Sequence, residues 1–280
     1  MWGKNITPFM LLVAATLLLA ATTGTNAQRP DPGDSTEYYL EHEGQNRSFV
    51  VYTPSTLNPN EPAPLVLTIH FLGGAPELMS QFTYMNEVAE ENQFLVVYPR
   101  GTDRSFNAGP ICCGNDTRDD VAFLRKVLAE VAVLRNVNTK RIYSTGQSNG
   151  GYMSYRLSCD ATELFAAIAP VAGSSPWPIN AFGRNCLPSR TPLSILAFHG
   201  TDDALVSYEL ATETIGYWLD FNNCALQPTT VTFRNGVTTC ESFTAQCDAY
   251  PNGALTNITL CSSAGEGYAI FDFFFFFVII

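Results

Sequence analysis

The stretch Arg141-Ile142-Tyr143-Ser144-Thr145-Gly146-Gln147-Ser148-Asn149-Gly150-Gly151-Tyr152 decides the fold. Arg141 to Thr145 reads as a strand and Tyr152 to Cys159 as a helix, so Gly146 to Gly151 is the turn between them. In that context Gly-x-Ser-x-Gly is a nucleophile elbow. The serine occupies a strained turn, small residues on both sides avoid clashes, and the hydroxyl stands exposed at the edge of a sheet. Ser148 is therefore the expected nucleophile.

Upstream, Arg47 to Tyr52, Leu65 to His70 and Phe94 to Tyr98 read as strands and Glu77 to Glu91 as a helix. Asp119-Asp120 opens another helix, with Val121, Leu124, Leu128, Val131 and Leu134 at helical spacing and acid groups at its positive end. Downstream, Phe165 to Pro170 and Leu193 to His199 read as strands and Glu209 to Phe221 as a helix. The alternation predicts an α/β fold, a mostly parallel central sheet flanked by helices, in a single domain. Asn222 to Cys261 is expected as a looped subregion with two short strands.

A serine hydroxyl needs a base to take its proton and an acid to orient that base, in chain order Ser, Asp, His for this topology. The acid belongs after a later strand. His199-Gly200-Thr201-Asp202-Asp203 ends the strand from Leu193 and offers two aspartates, between which the residues alone do not choose.

Composition narrows the setting. The 280 residues are 46% hydrophobic, 12% aromatic and 15% charged, which excludes a disordered or fibrous chain. A net charge of −11 gives the wrong field for a phosphate backbone, so nucleic acid is not an expected partner. Met1 to Ala27, with Lys4, an apolar run from Phe9 to Ala21 and Thr25-Asn26-Ala27, reads as a cleaved secretory signal, leaving no membrane partner afterwards.

Eight cysteines downstream of that signal predict disulfides, and the absence of Cys-x-x-Cys or clustered Cys and His argues against a metal. Neighbouring Cys112 and Cys113 are expected to bridge to two different partners, because adjacent cysteines do not easily reach the usual geometry. Asn46, Asn115 and Asn257 open glycosylation sequons.

The stretches LTIHFLGG (67–74), VVYPRGT (96–102), FNAGPICCG (106–114), DDVAFLRKVL (119–128), RIYSTGQSNGGYMSYRLSC (141–159), FAAIAPVAG (165–173) and FHGTDDALVSY (198–208) resemble, in order and spacing, carbohydrate esterase family 1. That group holds feruloyl esterases, acetylxylan esterases and polyhydroxybutyrate depolymerase-like proteins, and the resemblance runs from about Phe49 to Cys261. It implies an α/β-hydrolase fold, no cofactor, and Ser148 as nucleophile. It places the acid on Asp203 rather than Asp202. It also implies an oxyanion hole from the main chain at Phe71, Leu72 and Asn149, with Phe71 standing where the family usually has glycine. Backbone donors of this kind are a large catalytic term.

In that family the base follows the last cysteine in a Gly-His-x-Trp-Pro context, which falls near Tyr268. This chain reads Cys261-Ser262-Ser263-Ala264-Gly265-Glu266-Gly267-Tyr268, and no histidine follows Asp203. His42, His70 and His199 are expected in structural roles. The domain reading is therefore a signal over 1–27, a C-terminally incomplete esterase domain over 28–267, and an aberrant hydrophobic tail over 268–280. Its run of five phenylalanines is what a translated pyrimidine-rich intron would encode. The resemblance implies a secreted serine carboxylic ester hydrolase releasing acyl groups, ferulate first, from plant cell-wall xylan. The alternatives are an acetylxylan esterase, a polyhydroxyalkanoate depolymerase acting on a polyester, or an inactive carbohydrate-binding homologue that lacks the base.

Overall fold

The computed structural model describes residues 33–113, 117–177, 186, 192–224, 227–233, 237–243, 247 and 256–265. The expected signal, the tail from Tyr268 and the Asn115 sequon lie outside them.

The described elements are β1 (Asp34–His42), β2 (Gln45–Thr53), β3 (Ala63–Ile69), α1 (Pro76–Thr83), α2 (Met85–Asn92), β4 (Leu95–Pro99), α3 (Asp120–Leu134), β5 (Val137–Gln147), α4 (Asn149–Asp160), β6 (Ala167–Val171), β7 (Ser194–Gly200), α5 (Tyr208–Phe221), β8 (Thr229–Phe233), β9 (Thr238–Ser242) and β10 (Ile258–Ser263). The strands form one sheet in the order β1-β2-β4-β3-β5-β6-β7-β10-β9-β8. From β4 to β10 in that order neighbours run parallel, while β1 and β2 on one side and β9 and β8 on the other are antiparallel. The alternating pattern predicts this mostly parallel sheet flanked by helices, and the arrangement is the α/β-hydrolase fold that the family resemblance implies.

Period-two alternation in the central strands fills two cores at once. Leu65, Leu67, Ile69, Leu95 and Val97 point to the layer that also holds Phe123 and Leu124 of α3, Met153 of α4 and Trp218 of α5. Val66, Val96 and Tyr98 point to the opposite layer, with Met79 of α1 and Met85 and Val88 of α2. Burial on both faces explains why these strands read as continuous apolar runs.

Three elements differ from the reading of the chain. The helix expected over Glu77 to Glu91 is two helices, broken at Tyr84, whose φ of 50° and ψ of 27° are left-handed. The Thr83 hydroxyl donates to the Met79 carbonyl at 2.8 Å and accepts the Met85 amide at 3.3 Å, giving the backbone local partners that compete with a continuous helix. Strand β1 arises from a polar stretch; as an edge strand it alternates exposed residues such as Glu37, Tyr39 and Glu41 with more buried ones such as Tyr38, Leu40 and His42. The Cys-rich subregion contributes three strands rather than two, and β10 joins the parallel block beside β7.

The expectation for Cys112 and Cys113 is corrected: they bond to each other, with Cα atoms 3.7 Å apart. Cys113 adopts a positive φ of 69°, a backbone turn that brings adjacent side chains to one side. The other pairs are Cys159–Cys186, Cys224–Cys247 and Cys240–Cys261, the last joining partners in the β9–β10 register. Among the described residues no helix is long and apolar enough to cross a membrane.

Candidate active site

Ser148 stands between the end of β5 and the start of α4, with φ 51° and ψ −115°. Such a backbone is costly for a non-glycine residue and persists because its neighbours leave no alternative. A β-carbon on Gly146 would come within 2.6 Å of both the Gly150 and the Ile69 carbonyl oxygens, and one on Gly150 within 2.1 Å of the Ile69 oxygen. The Ser148 amide donates to the Val171 carbonyl at 2.9 Å, and the Ser148 carbonyl accepts the Tyr152 amide at 2.9 Å. Gln147 and Asn149 are buried while Ser148 is half-exposed, so the turn presents this one side chain.

After β3 the chain runs His70-Phe71-Leu72-Gly73-Gly74 past the same end of the sheet. Gly73, at φ 79°, takes the left-handed position and donates its amide to the Arg104 carbonyl at 2.8 Å. Phe71 has no positive φ, and its ring packs against Phe82 at 5.8 Å, so a side chain is accommodated at this position. Among the described residues the amides of Phe71, Leu72 and Asn149 donate to no acceptor. Asn149 opens α4, where the first amides lack helical partners and the helix end favours negative charge.

The loop after β7 separates the two aspartates. Asp203 has a side chain only 4% exposed, and its Oδ1 accepts the amides of Leu205 and Val206, both at 2.9 Å. Its Oδ2 accepts no hydrogen bond among the described residues and lies 3.8 Å from Nε2 of His199. Asp202 is exposed, and among the described residues its carboxylate accepts only the Thr201 hydroxyl, at 3.4 Å. One carboxylate is thus held by one oxygen with the other presented, and the second is a solvated turn residue.

The three histidines are occupied elsewhere. His70 donates from Nδ1 to the Phe71 carbonyl at 2.8 Å and accepts the Gly101 amide on Nε2 at 3.0 Å; burial pushes its pKa down to about 4. His199 donates to the Val206 carbonyl at 2.7 Å, and burial lowers its pKa despite the nearby Asp203 carboxylate. His42 hydrogen-bonds the Asp119 carbonyl at 2.9 Å at the start of α3. Both usable nitrogens of His70 are spent on the backbone, and its neutral form suits them.

Several site neighbours escape the sequence. Tyr152, one turn after Ser148, has its hydroxyl pKa raised by burial, opposed by a hydrogen bond with Ser174 and reinforced by the Asp203 charge. The Asn149 side chain clamps a distant loop: Oδ1 accepts the Phe106 amide at 2.8 Å, and Nδ2 donates to the Phe106 carbonyl at 2.9 Å and to Sγ of Cys112 at 3.4 Å. Asp120 Oδ2 accepts the next amide, Asn107, at 2.6 Å, while its Oδ1 pairs with Arg47, whose guanidinium lies 3.5 Å over the Phe123 ring. Asp120 looks from sequence like a simple helix-opening acid; its fully buried position gives it this second task. Among the described residues no group of three His, Cys, Asp or Glu side chains converges as a metal site.

A half-exposed serine on a strained turn, amides without acceptors among the described residues, and a carboxylate anchored through one oxygen are parts that acyl transfer uses, short of an imidazole. The family model that matches the chain is that of the prolyl oligopeptidase family, over residues 107–181, which contain the Ser148 turn. A bifunctional acetylxylan esterase/xylanase of Neocallimastix patriciarum is 29% identical over 194 residues, covering 69% of this chain and 27% of that protein. Feruloyl esterase B of Piromyces equi is 29% identical over 244 residues, covering 80% and 42%. The chain thus spans less than half the length of these two relatives. The solved acetyl xylan esterase from Aspergillus awamori superposes with a TM-score of 0.65 at 13% identity, covering 85% of this chain and 98% of that one, a likeness of fold.

Proposed function

We propose that this chain, an α/β hydrolase whose sequence relatives are feruloyl and acetylxylan esterases, is a secreted serine esterase releasing acyl groups, ferulate first, from plant cell-wall xylan. The observation that carries this reading is the strained Ser148 turn, with an Asp203 carboxylate that is anchored through Oδ1 and whose charge acts on Tyr152, one turn after Ser148. In the proposed reaction Ser148 Oγ attacks the ester carbonyl, and the amides of Asn149 and of Leu72 or Phe71 receive the developing oxyanion. Collapse expels the sugar alcohol and leaves an acyl-serine, which water then hydrolyses. Four disulfides suit an extracellular setting.

The base belongs to the segment after β10. The Asp202 amide donates to the Gly265 carbonyl at 3.2 Å, so the chain leaves β10 against the acid loop. Position 268 lies three residues on, within about 11 Å of covalent reach. We read a histidine at this position as the group that would bridge Asp203 and Ser148; the chain carries Tyr268 instead. That substitution favours a second reading, a carbohydrate-binding homologue without turnover. Methyl ferulate, an aryl acetate and a serine-directed phosphonate separate the two in a version whose residues from Tyr268 are replaced by a segment beginning His-x-Trp-Pro: an adduct at Ser148, with hydrolysis lost about 10⁴-fold in Ser148→Ala, supports the esterase, and no adduct supports the binder. The nucleotide sequence across codon 267 shows whether an exon encoding Gly-His-x-Trp-Pro follows.

A further inference from the structure

We propose that the Cys112–Cys113 disulfide is a positioning element for the Ser148 turn, acting through the Asn149 carboxamide, and that a dithiol which opens it slackens that turn. The inference rests on Ser148 as nucleophile.

Asn149 has one side-chain acceptor and two donors to place, and the loop from Phe106 to Cys112 takes all of them: the Phe106 amide, the Phe106 carbonyl and the Cys112 sulfur. The same residue supplies the first amide of α4, next to Ser148. The side chain therefore ties the amide offered to an oxyanion to one sulfur of the disulfide. A single rotation of Asn149 would give up three contacts at once.

The far side of this loop is also fixed. Its Asn107 amide ends on buried Asp120, Arg156 donates to the Asn107 carbonyl at 2.6 Å, and the Ile111 amide donates to the Pro176 carbonyl at 3.3 Å. Gly109, at φ 108°, sits so close that a β-carbon would meet the Pro176 oxygen at 2.6 Å. At the tip the Cys112 amide donates to the Gly109 carbonyl at 3.3 Å, while the exposed Cys113 is tied back by its bond to Cys112. Cys113 holds a left-handed φ of 69°, which an L-residue leaves when nothing constrains it. Opening the ring frees Cys113 to relax and lets the Cys112 sulfur turn away from Asn149.

Access favours this disulfide over the other three. Cys113 is the one exposed cysteine; Cys159, Cys186, Cys240 and Cys261 are buried, and Cys224 and Cys247 are half-buried. A dithiol thiolate attacks Sγ of Cys113, the sulfur–sulfur bond breaks, and Cys112 departs as a thiolate that takes up a proton. The second thiol of the reagent then displaces Cys113, so the protein gains two thiols and the reagent becomes a cyclic disulfide.

The test treats the full chain with limiting dithiothreitol, maps alkylated cysteines by mass spectrometry, and follows two readouts. The first is hydrogen exchange of the Phe106 amide, with Val97 in β4 as the control. The second is the part of aryl acetate hydrolysis that Ser148→Ala removes, measured in the version that carries a segment beginning His-x-Trp-Pro from position 268, where the base is supplied and the amide of Asn149 is what opening the disulfide moves. Alkylation is expected first at Cys112 and Cys113, with Phe106 exchange faster by about tenfold and Val97 unchanged. The Ser148-dependent rate should fall about tenfold, short of the ~10²–10³ for deleting an oxyanion donor, and recover on reoxidation.

Unchanged Phe106 exchange with both cysteines alkylated overturns the proposal. Faster exchange with an unchanged Ser148-dependent rate also overturns it, because the disulfide would then hold the loop without the turn. If the oxidised version carrying His-x-Trp-Pro shows no Ser148-dependent hydrolysis, the esterase reading fails, while the exchange measurement on the native chain still decides whether the disulfide holds Asn149. The double variant Cys112→Ser/Cys113→Ser should match the reduced protein; if it does not fold, reduction of the native chain decides alone.

Discussion

Gly150 approaches Ile69 so closely that a β-carbon on the glycine would lie 2.1 Å from the isoleucine carbonyl oxygen. The contact is backbone against backbone across the α4–β3 junction, so neither side has a flexible end to move. Gly150→Ala is expected to destabilise the protein by about 3 kcal/mol or more, the upper range for overpacking. Gly216, inside α5, gives the opposite expectation, because a β-carbon there would meet no atom within 4 Å. Gly216→Ala should stabilise by about 0.5–1 kcal/mol through helix propensity. Urea midpoints of the two variants check both signs.

The two aspartates of the acid loop should separate kinetically. In a version whose residues from Tyr268 are replaced by a segment beginning His-x-Trp-Pro, Asp203→Asn should cost about 10⁴ in kcat, because the carboxylate sets the imidazole tautomer. Asp202→Asn, at an exposed turn, should leave kcat within about twofold, as surface changes usually do. Equal small effects at both positions would place the acid elsewhere.

The strand–turn–helix at Ser148, the parallel sheet and the loop that carries Asp202 and Asp203 are legible because each is local. Glycines flanking Ser148, apolar runs and an aspartate pair after a strand report their surroundings within a few residues. The rest depends on contacts distant in sequence or on a single hydroxyl. Asn149 meets Phe106 from 43 positions away, and Asp120 meets Arg47 from 73 away, so neither task shows in a window. The break at Tyr84 turns on the Thr83 hydroxyl, and β1 is too polar at an edge to show a strand's apolar alternation. The vicinal disulfide stays hidden because adjacency argues against bridging unless one backbone turns left-handed, which sequence does not display.

Acid should weaken the fold through His70. The ring is fully buried, and its folded pKa of about 4 lies below the ordinary 6.5. Above pH 6.5 the imidazole is neutral folded or unfolded and nothing is lost. As pH falls from 6.5 toward 4 the unfolded chain takes the proton and the folded one does not, so stability drops, by at most about 3 kcal/mol. His199, also lowered by burial, adds in the same direction. Denaturant titrations at pH 7 and pH 4.5 should show the loss, and His70→Gln should flatten it; a flat profile in the native chain contradicts the argument.

The sequons should differ in occupancy. Asn46 is exposed in the β1–β2 hairpin. Asn257 is half-buried, and its Oδ1 accepts the hydroxyls of Ser242 at 3.0 Å and Thr259 at 2.9 Å. A glycan on its nitrogen would have to be accommodated while that amide stays in the β9–β10 contact. Glycopeptide mass spectrometry of secreted protein is expected to find Asn46 occupied and Asn257 bare; the reverse pattern would show that the Ser242 contact yields.

The chain with Tyr268 to Ile280 as they stand should hydrolyse esters slowly. His70 spends both ring nitrogens on Phe71 and Gly101, His199 donates to Val206, and His42 is engaged at α3. Ser148 then has no imidazole to take its proton, and a serine hydroxyl is a weak nucleophile at neutral pH. Replacing 268–280 with a segment beginning His-x-Trp-Pro starts the new histidine three residues from Gly265, whose carbonyl already accepts the Asp202 amide. That replacement should raise kcat on methyl ferulate by about 10³ or more, the scale on which triad members act together. It should also raise solubility, since it removes five consecutive phenylalanines from an apolar run with a single charge. Both versions are expressed side by side and assayed on methyl ferulate and an aryl acetate. Equal turnover would mean that the base is already present, and His199, 3.8 Å from Asp203, would be the first residue to substitute.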